Sequence, residues 1–379
     1  MKPIVIIGSG MAGYSVAREF RKLDADTPLI MLTANAGGAY SKPMLSNAFA
    51  KNKNATTLLT ASSQNMAKQL NIDIFTGTDV SLLNTITQEI IHGDEKIAYQ
   101  KLVLAVGANP FRPPLTGNAV NDVLTVNNID DYAKFRNAID EKKQIIILGG
   151  GLIGSEFAND LAHAQFEVTV VDRNAWPLGN LIPQIVGKKL HQSLVALNIQ
   201  WLASTSVTSV DTYNGEYQVS LDNGKRITGD VVLSAVGLKP NITLAAKSGL
   251  QINRGIVVDK TLKTSVDNIY AIGDCAEVEG FVLPFIMPIM RGARVLAQTL
   301  AGNVTEISYP TMPVLLKTPA YPISVVAPPP TEGEWKIEET ESGIKALCYN
   351  PSDKLIGFAL GGSATKEAGK LSAKMAPLL

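Results

Sequence analysis

The 379-residue chain has only two cysteines, Cys275 and Cys348, far apart and outside any C-x-x-C pair. That excludes a redox-active dithiol, and Cys275 reads as a small buried residue. Histidine is as scarce: His92, His163 and His191 are the only ones, and none has ligand spacing to another His or to Cys, so no metal site is expected. No sign of charge dominates either. Lys+Arg and Asp+Glu both total 34, so nothing global points to nucleic acid or an anionic membrane, although a local basic patch stays open. No apolar run approaches a membrane span; the best candidate, Phe281 to Met290, is broken by Pro284 and Pro288. The apolar start, Pro3 to Ile7, is too short for a signal sequence and runs directly into a glycine turn, which marks a buried parallel strand. Low-complexity segments and short repeats are missing, and Pro328 to Pro330 reads as a loop. The expectation is a soluble, cytoplasmic protein of two or three domains, because the chain exceeds the size at which one core stops growing.

What is present is a glycine signature that occurs twice, at Gly8, Gly10 and Gly13 and again at Gly149, Gly151 and Gly154. The first glycine allows a tight turn, the second lets the backbone approach a pyrophosphate, and the third lets helix pack closely on strand. Each copy follows an apolar strand run (Pro3 to Ile7, Gln144 to Leu148) and opens a helix, as the mechanism requires. A pyrophosphate would sit on the unpaired amides and positive dipole end of each helix. Two cradles in one chain imply two bound dinucleotides.

Between and after the cradles, the pattern is of interleaved units. The first βαβ unit spans Pro3 to Thr33, and alternation from Asp73 to Ile97 suggests short strands with turns at Asn84 and Gly93-Asp94. Lys101 to Gly107 (KLVLAVG) reads as a buried strand echoed by Asp230 to Gly237 (DVVLSAVG), and the proline-rich Asn109 to Pro114 marks a domain crossing. The second βαβ unit fills Gln144 to Asp172, followed by a hairpin-rich region through Asp222, Asn223 and Gly224. Met287 to Ala301 has helical character after Pro288, ending near Gly302. From Tyr309 on, alternating runs around Val314 to Val326 and Lys354 to Leu360 predict a small α+β domain.

The ordered set GSGMAG, SKPMLS, LAVGANP, GGGLIGSE, SAVGLKPN and NIYAIGDCAEV resembles the two-dinucleotide flavoprotein reductases, and within them most resembles the bacterial rubredoxin reductases. The tail segment Met312 to Pro322 (MPVLLKTPAYP) resembles that branch rather than the ferredoxin reductases, whose tails usually carry a Trp near the flavin. The resemblance implies an α/β fold of two interleaved Rossmann-like domains plus a small α+β domain. Residues 1–108 and 238–308 would form a discontinuous FAD-binding domain, 109–237 an NAD(P)H-binding domain, and 309–379 the C-terminal domain.

The same resemblance implies roles residue by residue. Gly8, Gly10 and Gly13 would hold the FAD pyrophosphate, and Asp274 would accept hydrogen bonds from a ribityl or phosphate-side hydroxyl. Lys42 and Pro43 would lie near the isoalloxazine, where a cation favours the reduced, anionic ring. The helix beginning near Met287 would aim its free amides at the N1 and O2 edge. Gly149, Gly151 and Gly154 would cradle the pyrophosphate of NAD(P)H, with Glu156 orienting the nicotinamide carboxamide. Asp172 closes a strand where an acidic side chain binds the adenosine ribose diol and repels a 2′-phosphate, which favours NADH; Arg173 leaves room for some NADPH use. Met11, Ala12, Val80, Ala105, Gly107, Leu152, Ile153 and Gly237 complete the expected cofactor-binding set, with Lys42 and Glu156 as the catalytic pair.

There are two departures from the family pattern. Thr33 stands where an acidic ribose ligand is common, so adenosine recognition would fall to a hydroxyl or the backbone. Asn47 stands where many ferredoxin reductase relatives carry a lysine beside flavin N5. The implied activity takes hydride from NADH and passes electrons singly to rubredoxin, a small acidic iron protein, on the way to alkane hydroxylation or to nitric oxide or oxygen detoxification. Lys42, Lys317 and Arg291 are candidates for a basic rim that would meet it. A ferredoxin reductase, an NADH oxidase or small-molecule reductase, and a non-enzymatic NADH sensor stay open as alternatives. The sequence does not fix the oligomeric state, a monomer being favoured, and neither nucleic acid nor membrane is an expected partner.

Overall fold

Four consecutive apolar residues, Ile4–Ile7, can hide both faces only as the middle of a sheet covered on two sides. The computed structural model, which describes residues 2–329 and 333–379, places them there. The sheet is wholly parallel, in the order Ile269–Ala271, Lys101–Leu104, Ile4–Ile7, Leu29–Leu32 and Asp73–Phe75. The helices Met11–Arg21 and Ile286–Leu300 pack on each other, burying Val16, Phe20, Leu296 and Ala297.

A second parallel sheet repeats the plan in the order Gln200–Ala203, Glu167–Asp172, Gln144–Leu148 and Val231–Ser234. In both sheets the strand leading into the glycine loop has one neighbour on each side that the chain reaches by opposite routes. That arrangement opens a crevice at the carboxyl ends of the strands. Antiparallel meanders flank each sheet: Leu82–Asn84, Glu89–His92 and Glu95–Ala98 in one case, Val207–Tyr213, Glu216–Leu221 and Arg226–Gly229 in the other. The expected turns are present, with Asn84 Oδ1 accepting from the amides of Ile86 and Thr87 and Gly93 at φ +55°.

The last part of the chain is a five-stranded antiparallel sheet ordered Val314–Leu316, Ile323–Val326, Leu355–Gly362, Gly343–Tyr349 and Glu334–Thr340, with the short helix Ala368–Ser372. Its strands alternate sides with period two. Ile323, Val325, Ile344, Ala346 and Ala359 join the core of the second nucleotide unit, while Leu347, Phe358 and Leu360 pack with Leu371 in a core of their own. Pro328 and Pro329 lie in a loop; Pro330 falls outside the described residues.

The structure corrects several sequence expectations. The strands expected to reach Gly107 and Gly237 stop at Leu104 and Ser234. One further ladder bond follows in each, Ala105 N to Ile7 O and Ala235 N to Leu148 O, both 2.8 Å; positive φ at Gly107 (+65°) and Gly237 (+118°) then turns the chain away. The two diverted segments, Ala108–Pro110 and Leu238–Pro240, pair with each other antiparallel, and the Lys239 ammonium sits 4.5 Å above the Phe111 ring. The helix expected after Pro288 begins at Ile286, because a proline in the first turn lacks only an amide that would have no partner there. Among the helices that escaped the reading, the longest are Ser63–Leu70, Ile129–Ala138 and Gln184–Val195. The first two start at side-chain caps, Ser62 Oγ accepting from Asn65 N at 3.2 Å and Asn128 Oδ1 from Asp131 N at 2.8 Å.

Phe135, fully buried, meets Phe49 edge-on at 5.6 Å and Phe157 at 5.8 Å, so it joins the 47–53 loop to the second unit. Phe135→Ala is expected to cost about 3–5 kcal/mol. Chemical denaturation checks this, and an unchanged midpoint would show that this contact carries no stability.

Candidate functional site

The two glycine loops are built on the same plan. In the first, Gly8 has φ +112° and a Cβ there would lie 2.2 Å from Ala105 O; a Cβ on Gly13 would lie 1.9 Å from Gly8 O. In the second, Gly149 has φ +98° with Ala235 O at 2.9 Å, and a Cβ on Gly154 would lie 1.9 Å from Gly149 O. The outer glycines are therefore demanded by the protein's own backbone. The middle ones are not: a Cβ on Gly10 or Gly151 would meet nothing within 4 Å. Both have ordinary backbone angles and cap their helices without any side-chain bond, leaving the first-turn amides free. A glycine bordering open space at an uncapped helix start fits a phosphate that must approach the backbone. Ile153 is 44 % exposed on the first turn of the second helix; Leu152 beside it is half-buried, and in the first loop Met11 is half-buried and Ala12 buried.

Around the first cradle the structure gathers most of the expected set. A Cβ on Gly273 would sit 2.9 Å from Ala12 Cβ, which puts the Ile272-Gly273-Asp274 turn against the start of helix Met11–Arg21. The Lys42 ammonium reaches Asp274 Oδ2 at 3.7 Å, so the 3₁₀ segment Lys42–Asn47, with Pro43 in its first turn, lies beside that turn. Met287 is exposed on the first turn of Ile286–Leu300, a helix start without a side-chain cap. Val80 is half-buried against the same core, and Ala105 lies under Gly8. Gly107 and Gly237 border open space at the two crossings. Thr33 is less available: its hydroxyl lies 2.8 Å from Ser9 Oγ, and both reach Asn35 Oδ1 at 3.0 and 3.2 Å. Ser9 and Asn35 had no sequence signal beyond their place beside the glycine loop. Cys275 is fully buried, its thiol pushed up to about 11 by desolvation, with Sγ 3.3 Å from Ile272 O; it is packing, not a nucleophile.

At the second cradle, Asp172 is 3 % exposed. Its Oδ1 accepts from the backbone and side-chain amides of Asn174 at 3.1 and 3.2 Å, whereas Oδ2, buried, has no partner. Burial holds this carboxyl above the usual carboxylate range. Oδ2 packs against Gly150 of the glycine loop, whose amide helps to hold the charge, so the carboxylate stands at a strand end beside the cradle, the position at which an acidic side chain meets a ribose hydroxyl.

Glu156 occupies the junction of all three parts of the molecule, and it is 5 % exposed. Oε2 accepts from Ser46 Oγ at 2.5 Å and from Asn47 Nδ2 at 3.2 Å, and Oε1 accepts from Lys317 N at 2.9 Å. The next turn of the same helix continues the seam. Asn159 Oδ1 accepts from Ala320 N at 3.3 Å, and the Asp160 carboxylate accepts from Phe49 N at 2.7 Å and Ala50 N at 3.2 Å. The Lys317 ammonium reaches Pro43 O at 3.5 Å. Of these residues only Glu156, Lys317 and Pro43 had been singled out from sequence; Ser46, Asn159 and Asp160 lacked a distinguishing pattern, and Asn47 stood out only as a departure. Of the expected basic rim, Lys317 reaches the backbone of Pro43, Lys42 turns to Asp274, and Arg291 is exposed on the helix behind Met287.

Two parallel-sheet units with matched glycine loops, joined by twin crossings and closed by a third domain, define a two-dinucleotide oxidoreductase fold. The sequence matches the family "Pyridine nucleotide-disulphide oxidoreductase" over residues 2–298, and the chain belongs to that family. Residues 306–375 match "Rubredoxin binding C-terminal domain". The chain is 45 % identical to a rubredoxin-NAD(+) reductase of Alcanivorax borkumensis, with all of both chains covered. It is 40 % identical to a nitric oxide reductase FlRd-NAD(+) reductase of Aliivibrio fischeri, covering 97 % of this chain and 96 % of that one. In fold it is similar to a ferredoxin reductase from Rhodopseudomonas palustris, with a TM-score of 0.89 at 24 % identity over 99 % of this chain and 96 % of the other.

The glycine geometry separates two kinds of substitution. Gly154→Ala forces a Cβ against backbone and should cost about 3 kcal/mol or more, seen as a fall in Tm. Gly10→Ala should leave the Tm of the FAD-free protein within a few degrees but lower the bound flavin per chain, read from the visible spectrum. Equal behaviour of the two variants would remove the distinction between self-packing and ligand-facing glycines.

Proposed function

We propose that this protein is an FAD-dependent reductase that takes hydride from NADH and passes electrons singly to rubredoxin in the cytoplasm. The observation that carries the reading is the union, in one chain, of two matched phosphate cradles with a C-terminal domain of the rubredoxin-binding type packed on the second of them. The names of the full-length relatives agree with it. Residues 1–108 and 238–308 would serve FAD, 109–237 NADH, and 309–379 the carrier. Bound FAD would supply the conversion of a two-electron hydride into single electrons.

The chain's own residues then have definite tasks. Gly8, Gly10 and Gly13 with Met11 and Ala12 hold the first pyrophosphate at a helix start, and Asp274 receives hydroxyl donors from the same nucleotide. Lys42 and the uncapped amides at Ile286 and Met287 bring positive potential to the ring site, which favours an anionic reduced form there. Gly149, Gly151 and Gly154 would hold the second pyrophosphate, Asp172 would accept from the adenosine ribose, and Glu156 would orient the nicotinamide carboxamide. A rim of Lys42, Lys317 and Arg291 meets an acidic carrier. An oxidase that depends on a reactive cysteine is disfavoured by the packed thiol of Cys275. No helix of the described residues is long and apolar enough to cross a membrane.

Anaerobic mixing with NADH and either rubredoxin or a [2Fe–2S] ferredoxin, following the carrier's visible band, tests the proposal. Rapid bleaching of rubredoxin that slows as salt rises is the expected result, and bleaching of ferredoxin alone would refute the carrier. NADH should exceed NADPH in kcat/KM, and Asp172→Ser should lower that ratio by roughly tenfold or more, since a lost ribose hydrogen bond to a charged group is worth about 1.5–3 kcal/mol. An unchanged ratio would remove Asp172 from coenzyme selection.

A further inference from the structure

The stretch from Ser41 to Lys53 is numbered with the first sheet unit but is carried by the second. Leu45, Ala48 and Phe49 are buried in the second unit's core. The Phe49 ring meets Tyr132 edge-on at 5.3 Å and Phe135 at 5.6 Å, and the Arg136 guanidinium lies 5.0 Å from its centroid. Each oxygen of the Asp160 carboxyl accepts one backbone amide, from Phe49 at 2.7 Å and from Ala50 at 3.2 Å. Lys53 O accepts from the Tyr132 hydroxyl at 2.7 Å and from Arg136 at 2.9 Å, and Asn52 Oδ1 accepts from Arg136 at 3.0 Å. Among the described residues, every hydrogen bond between this stretch and the rest of the chain goes to Tyr132, Arg136, Glu156, Asp160 or Lys317.

The ion pair of the stretch runs the other way. Lys42 Nζ lies 3.7 Å from Asp274 Oδ2, in the first unit beside its glycine loop. A pair of that length on a side chain about a third exposed is worth little and cannot hold the segment in place. The 3₁₀ turns of Lys42–Asn47 run without a break into Ala48 and Phe49, so whatever fixes Phe49 and Ala50 also fixes where Lys42 starts. The ammonium therefore stands beside the first cradle while its backbone is anchored on the second unit. The field of a single charge falls with distance and is screened by water, so the positive potential that Lys42 lends depends on how firmly that backbone is held.

Resting on the functional reading above, in which Lys42 faces the flavin ring, we infer that Asp160 and the aromatic socket around Phe49 are positioning residues for Lys42: the coenzyme unit holds the cation that tunes the flavin. Asp160 is committed to backbone amides and takes no part in the chemistry. When the tie is loosened the cation leaves the ring, the reduced, anionic form loses its support, and the flavin's midpoint potential falls.

The test is the midpoint potential of the flavin in the FAD-loaded protein, measured by equilibration with a reference dye, alongside its Tm. Lys42→Ala should lower the potential. Asp160→Asn turns an amide N–H against one of the two backbone donors and should reproduce most of that drop. The double variant Lys42→Ala/Asp160→Asn should fall no further than Lys42→Ala alone, because Asp160 acts through Lys42. Phe49→Leu keeps Asp160 and loosens the socket; it should move the potential the same way, and it serves if Asp160→Asn fails to fold. A lowered Tm with the wild-type potential in these variants, or drops that add in the double variant, would overturn the inference and leave Asp160 as a tie between domains. An unchanged potential in Lys42→Ala would overturn it as well, by removing the cation from the ring. A wild-type protein that bound no FAD would instead refute the functional reading itself.

Discussion

A carboxylate is buried only where donors are brought to it, and this molecule is arranged around two such demands on one helix. Glu156 and Asp160 lie just over a turn apart on Leu152–His163, and neither finds its donors within its own sheet unit. Their partners come from Ser46, Asn47, Phe49 and Ala50 on one side and Lys317 on the other, with Asn159 adding Ala320. Removing any one segment would strand a charge or a polar atom in a dry interior, at a cost of several kcal/mol by the usual penalties. Hydrophobic contact alone would let the three parts slide; directional bonds to backbone amides fix their register.

The glycine loops show a second constraint, and it acts by exclusion. The outer glycines sit against carbonyls of their own unit, so their absence of a side chain is a packing requirement that holds with or without a ligand. Only the middle glycine faces outward. The same division recurs at both loops, although the neighbouring residues differ, because a strand that must turn at once into a helix leaves the backbone no other path. Folding and binding are thus separable within a six-residue motif.

How much of this could be read from sequence depended on whether the signal was local. Gly149 to Gly154 announced itself through the strand before it, and Gln144–Leu148 was bounded to the residue, because four of its five residues are buried and apolar. The helix Ser63–Leu70 was missed since its polar exposed face hides a narrow apolar stripe of Met66 and Leu70. Lys101 to Gly107 was drawn too long because its last apolar residues serve a turn instead of a ladder. The seam at Glu156 was beyond reach for a different reason: its donors are 110 residues before and 161 residues after it, and four of the amides on the seam, those of Phe49, Ala50, Lys317 and Ala320, belong to backbone that any residue could supply. Glutamate in an early turn of a helix reads equally well as a dipole partner, and only the folded arrangement distinguishes the two.

The two attachments of the second unit decide how it can move. One is the pair of crossings, Ala108–Pro110 against Leu238–Pro240, braced by Asn127 Nδ2 on Ala108 O at 2.8 Å. The other is the seam from Glu156 to Asp160. A domain held only by its crossings could hinge about them, as inserted domains often do. A unit held also by buried charge-assisted bonds at a separate place has no free axis, because any rotation about the crossings would pull Asp160 from the amides of Phe49 and Ala50. The relative placement of the two cradles is therefore set at folding. Such pre-organisation suits hydride transfer, in which the reacting atoms must be held within van der Waals contact and misplacement of an ångström is expensive. It also places the C-terminal domain, which hangs on the same helix through Lys317 and Ala320, in a fixed relation to the site it closes.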